Sequence, residues 1–179
     1  MDISQEKLDR LCAPVGSLIL AWSLIDVSVT RITVLIFSIA RSRQPESRAP
    51  IMFKHRLKVI DRNFKTNTEF SAYANEWPDW RRQITHLQKL RDAIIHGYVS
   101  EYEEDGDAYI FHKLDPVKGG ARPGRIWPGD SHATFLLRVP YHELSAATLE
   151  CAPATAALLR ISRGLITMAA EKRKSKDSP

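Results

Sequence analysis

Leu87-Gln88-Lys89-Leu90-Arg91-Asp92-Ala93-Ile94-Ile95-His96-Gly97-Tyr98 is the stretch on which the reading of this chain turns. Leu87, Leu90 and Ile94 stand three and four apart, the spacing of one buried helix face. Gly97 is a residue type that ends helices in the left-handed conformation, so the helix is expected to close there. Trp80, Ile84, Leu87, Arg91 and Ile94 continue the apolar stripe backwards and place a guanidinium in its middle. A charge in that position needs a carboxylate, a phosphate or an interface, because burying it alone is costly. Asp92 and His96 are four apart and are expected to touch. Five residues separate Arg91 from His96, which sets them roughly 140° apart around an ideal helix.

Arg91-Asp92-Ala93-Ile94-Ile95-His96 resembles the signature of HEPN domains, an arginine followed at short spacing by a histidine, here with a polar residue directly after the arginine. The resemblance implies an all-helical bundle and a metal-independent endoribonuclease, toxin-like or defence-like. In that scheme Arg91, Asp92 and His96 are the catalytic residues and no cofactor or metal is required. It also implies a homodimer that brings two copies of the motif into one cleft. RNA would be the substrate and an antitoxin-type protein a further partner.

The segments on either side fit a helical bundle. Val15, Leu18, Trp22, Ile25, Val29, Ile32, Ile36 and Ile39 hold an unbroken 3-4 spacing and predict a long helix. Ile19, Leu20, Leu24, Val27, Val34, Leu35 and Phe37 make that helix apolar on more than one face, as expected of a central helix or one packed on a second subunit. The run is long enough to span a membrane, but Asp26 and Arg31 interrupt it, so no membrane span and a cytoplasmic protein are expected. Asp26 is the expected structural partner of Arg91. Pro14 and Gly16 predict a kink or restart just before.

Phe53, Leu57, Ile60 and Phe64 mark a second helix, beside which Lys54, Lys58, Arg62 and Lys65 form a basic row able to track RNA phosphates or simply to face solvent. Pro78 and Asp79 suit the first turn of the third helix. After His96 the period shortens. Tyr98–Tyr102, a turn at Asp105-Gly106, Ala108–His112 and Ala133–Val139 read as three short strands, with Asp115–Ser131 a long loop. Leu144, Ala147, Cys151, Ala154, Leu158, Ile161, Leu165 and Met168 restore the helical spacing, with a kink expected at Pro153.

The predicted architecture is therefore mainly all-α. A HEPN-like four-helix bundle has helices near 15–41, 50–64, 78–96 and 141–171. A small antiparallel β insertion lies within 98–139, and residues 172–179 form a disordered tail of one domain spanning 1–179.

Composition narrows the chemistry. Hydrophobic residues at 44% and charged residues at 26% suit a globular fold rather than a disordered chain. From Arg41 to Lys65 eight Lys/Arg face two acids, Glu46 and Asp61, a local +6 that suits an anionic partner. Glu101 to Asp107 carries five acids and no base, a local −5 that could screen phosphate from the motif. The two cysteines, Cys12 and Cys151, form no metal-type cluster, and a reduced setting is expected. His55, His86, His112, His132 and His142 lack tight metal-ligand spacing, although His112 and His132 could meet across the sheet. No Gly-rich phosphate loop and no G-x-S-x-G elbow is present, which leaves ATP chemistry and serine hydrolysis unsupported. Two readings stay open: a ribonuclease, and a non-catalytic helical module with Arg91, Asp92 and His96 as a structural polar cluster.

Overall fold

The structure is a computed structural model that describes residues 3–40, 44–45, 48–114 and 134–177. It is mostly helical, with one small antiparallel sheet. In chain order the elements are α1 (Gln5–Ala40), α2 (Phe53–Thr66), a 3-10 turn (Thr68–Tyr73), α3 (Trp77–His96), β1 (Gly97–Glu103), β2 (Ala108–Leu114), β3 (Thr134–Pro140) and α4 (Tyr141–Asp177). The expected loop 115–131 and His132 lie outside the described residues, as do parts of the basic loop after α1. The chain divides into two compact units. One comprises Met1–Ile19 with Gln88–Thr148, the other Leu20–Leu87 with Leu149–Pro179.

In the first unit β1, β2 and β3 form a meander in that order. Tyr109, Phe111 and Val139 are buried, together with Leu11, Leu18, Ala93 and Leu144. The hairpin β1–β2 is tied down by charge. Asp107 accepts both terminal nitrogens of Arg10, at 2.7 and 2.8 Å, and the hydroxyl of Tyr102 at 2.6 Å. The carbonyl of Asp107 accepts the N–H of Tyr141 at 2.7 Å, and the Arg10 guanidinium lies 3.9 Å over the Tyr141 ring. Lys7 pairs with Glu104 at 3.2 Å and Arg138 with Glu103 at 2.6 Å. Three of the five hairpin acids thus have cationic partners, and the segment is a braced strut more than a free acidic surface.

The turn falls at Asp105-Gly106 as expected: Glu104–Asp107 connects the strands, with Asp107 left-handed at φ 42. Aspartate tolerates that region better than most residues. At Gly106 the guanidinium of Arg138 fills the space a Cβ would take.

The second unit buries Ile25, Val29, Ile32 and Ile36 of α1, Leu57, Ile60 and Phe64 of α2, and Leu158, Ile161 and Leu165 of α4. Trp22 and Phe53 meet with ring centroids 5.0 Å apart. Phe64 is ringed by Phe70, Tyr73 and Trp77 at 6.0, 5.2 and 5.5 Å. Trp77 donates its indole N–H to Asp61 at 2.5 Å, and Asp61 also pairs with Arg81 at 3.1 Å.

Helix α1 does not restart at Gly16. α1 begins at Gln5 and runs through Pro14 and Gly16, and α4 runs through Pro153. Leu11, Pro14 and Leu18 are buried in sequence, so packing outweighs the single N–H bond a proline forfeits. The expected frayed tail is helical to Asp177. Lys172 anchors it, donating to the carbonyl of Ile39 and to Glu69, each at 2.8 Å.

α1 is, among the described residues, the one helix long and apolar enough to cross a membrane by length and composition. Its two interrupting charges differ in setting. Asp26 pairs with Arg56 at 3.0 Å, whereas Arg31 is exposed.

Candidate active site

Arg91, Asp92 and His96 occupy the last two turns of α3, in the first unit. Ala93 and Ile94 on the same turns are buried and fix the helix face. The neighbouring polar residues therefore stand at its flank. Arg91 is half-buried and donates Nη1 to Oδ1 of Asp92 at 2.8 Å. Gln88 donates to the other oxygen of Asp92 at 3.5 Å. Asp92 thus holds the guanidinium of its chain neighbour. The Nε of Arg91 is buried with no hydrogen-bond partner among the described residues.

Two expected pairings are corrected. Asp26, expected to answer Arg91, instead meets Arg56, which also donates to Thr30 one turn along α1. Asp92, expected to touch His96, engages Arg91 and Gln88. A long arginine side chain can curl back to the next residue, so the i,i+4 pair loses to the i,i+1 pair. His96 is left exposed at the end of α3, with no hydrogen bond to any described residue.

Gly97 fixes how the helix passes into β1, by a reason other than the expected left-handed backbone. Its φ is not in the positive range. A Cβ at that position would lie 2.3 Å from the carbonyl oxygen of Ala93 and 2.9 Å from that of His112. Both obstacles are backbone. Only glycine lets the last turn of α3 meet β2 this closely. Gly97 pairs with Lys113 and Tyr98 with His112 in the β1–β2 register. The rings of Tyr98 and His112 are stacked, 5.1 Å between centroids and 24° between planes. Sequence reading named both residues but not their pairing. The signal available was the i,i+2 step from His96 to Tyr98 and a histidine at the matching place on the returning strand.

The basic row of α2 survives in part. Lys54, Lys58 and Lys65 are exposed, while Arg62 is half-buried and donates to Gln44 at 2.8 Å. Arg62, Asn63, Thr66, Asn67 and Thr68 line a small polar hollow of about 160 Å³ in the second unit. No group of three or more His, Cys, Asp or Glu side chains able to hold a metal occurs among the described residues. Cys12 is exposed and Cys151 buried, neither in a disulfide. Burial pushes the Cys151 thiol up to about 11, so it is a core residue and a poor nucleophile.

This arrangement offers an anion-binding cation, a carboxylate that orients it, and a solvent-facing imidazole on one rigid helix end. Comparison of the chain with protein-family models, curated proteins and solved structures gives no match.

Proposed function

We propose that this chain is a metal-independent endoribonuclease of the HEPN type, toxin-like or defence-like, acting in the cytoplasm as a homodimer. The observation that carries the reading is His96. It is exposed, it makes no hydrogen bond to a described residue, and it stands on a helix end that Gly97 locks in place. A histidine kept for packing or capping has a partner, and this one is free to serve a ligand.

The chemistry follows from the groups. The 2′-hydroxyl of a ribose attacks the adjacent phosphorus, an O2′–P bond forms and the P–O5′ bond breaks, leaving a cyclic phosphate and a 5′-hydroxyl. His96 moves the proton, and general acid–base transfer of this kind is typically worth about 10²–10⁴-fold. Arg91 stabilises the charge that builds on the phosphorane oxygens, through the donors Asp92 leaves free. Because Arg91 and His96 diverge around α3, a second chain supplies the complementary residue. Further support for a dimer comes from α1, where Leu20 is 71%, Leu24 57% and Val27 58% exposed on one face. Lys54, Lys58 and Lys65 supply cations for RNA phosphates. An antitoxin-type protein would be the natural regulator of such an activity.

A second reading is favoured by one observation: Arg91 and Asp92 are half-buried and paired with each other. That is also how a structural pair in a non-catalytic dimerisation module behaves. One experiment separates the two. RNA cleavage is assayed in EDTA for wild type and His96→Ala, with the thermal midpoint followed in parallel. The nuclease reading expects a rate loss of about 10²-fold or more with an almost unchanged midpoint. Absence of cleavage by the wild type, with a monomer in light scattering, sinks it.

A further inference from the structure

Tyr98 is an exposed aromatic side chain, at 54% exposure. The other tryptophans, tyrosines and phenylalanines whose burial is described are buried or half-buried. It stands two residues after His96, on the strand that leaves the motif helix. One face of its ring is covered by His112, across the β1–β2 pair at 5.1 Å.

We propose that Tyr98, backed by His112, is a stacking platform for an unpaired nucleobase next to the scissile phosphate. The proposal rests on the nuclease reading above and adds a base-binding site to it. Three observations carry it. The first is rigidity. Gly97 separates His96 from Tyr98, and its close approach to the carbonyls of Ala93 and His112 leaves neither residue free to drift. The platform therefore sits at a set distance from the proton-transfer group. The second is chemistry. An aromatic ring stacked on an imidazole presents a flat π-face, and such faces bind unstacked bases with little regard to sequence. The third is the lack of another exposed aromatic among the residues whose burial is described. The exposed lysines of α2 can meet phosphates, but no aromatic stands exposed among them.

Single-strandedness also suits the reaction. Attack by a 2′-hydroxyl needs that oxygen in line with the departing 5′-oxygen, a geometry that a stacked A-form duplex withholds. A base lifted onto Tyr98 unstacks its nucleotide and frees the backbone to rotate. A cross-strand Tyr–His pair does stabilise a hairpin, but that role uses only the covered face.

The test uses a labelled 2′-O-methyl oligonucleotide, which has no free 2′-hydroxyl and cannot be cut. Binding is measured for the intact single strand, for the same strand with abasic positions, and for a duplex of equal length. The wild-type protein is expected to bind the intact strand most tightly and to lose about 5- to 150-fold on the abasic strand. Tyr98→Ala should bind the intact strand as weakly as wild type binds the abasic one, and Tyr98→Phe should bind it like wild type. The arms that vary the RNA need no variant and stand even if Tyr98→Ala misfolds. Equal binding of intact, abasic and duplex forms overturns the platform, and so does no binding at all. Cleavage of ordinary RNA that is indifferent to Tyr98→Ala removes the platform and leaves the nuclease. Tyr98-dependent binding without any cleavage removes the nuclease and leaves a single-strand-binding site.

Discussion

Arg10 and Asp107 stand 97 residues apart and meet through two parallel hydrogen bonds of 2.7 and 2.8 Å. The arginine, followed by the hydroxyl of Tyr102, holds the Asp107 carboxyl below the usual carboxylate range. A carboxylate with a depressed folded pKa contributes stability above its unfolded value, near 3.9, and that contribution is lost as the pH falls through the folded value. The thermal midpoint should therefore drop on acidification below about pH 4. Asp107→Asn keeps a residue that tolerates φ 42 and removes only the charge. Its midpoint should be lower than wild type at pH 7 and should fall less steeply in acid. Parallel acid limbs for the two proteins, in calorimetry across this range, would rule the linkage out.

Gly97→Ala tests the weld between α3 and β1. The added carbon meets two backbone oxygens, neither of which can rotate away. Overpacking of this kind costs about 1–3 kcal/mol, and urea titration should show a loss in that range. The same variant should impair cleavage beyond its stability loss, because His96 shifts with the helix end. A stability change within about 0.5 kcal/mol, the usual scatter of surface substitutions, would show that the junction relaxes freely.

Arg56 offers a third measurement. Its side chain is 13% exposed and that of Asp26 44%. Arg56 also donates to Thr30 and lies 5.7 Å from the Phe53 ring centroid. Arg56→Ala should cost about 1–3 kcal/mol, less than a fully buried pair because Asp26 still reaches water. Arg56→Met combined with Asp26→Asn should recover part of that loss, since the apolar stem is restored and no charge is stranded. A double variant no more stable than Arg56→Ala contradicts this account of the pair.

Much of the fold was legible because packing writes itself as period. The stripe from Leu18 to Ile39 is buried at nearly every expected place, and the shift to short period after His96 marks the sheet. A restart at Pro14 did not follow, because Leu11 and Leu18 on either side are buried and hold the helix together. Within the motif, the pairing of Arg91 and Asp92 was not legible. Which carboxylate meets Arg91 depends on how helices pack and how a side chain curls, and neither is periodic. Gly97 shows the same limit at one position. A glycine can be required by backbone conformation or by a neighbour's approach, and residue type alone does not distinguish them. That Tyr98 is exposed was not legible either, because exposure is a property of the folded chain.

The clamp on the hairpin has a consequence for synthesis. Arg10 leaves the ribosome long before Asp107, and Tyr141, whose N–H caps the Asp107 carbonyl, follows later still. At about 5–20 residues per second, the first turns of α1 wait on the order of 5–20 s for their partner. Until the hairpin is complete, Lys7 and Arg10 lack the partners Glu104 and Asp107 that they hold in the folded chain.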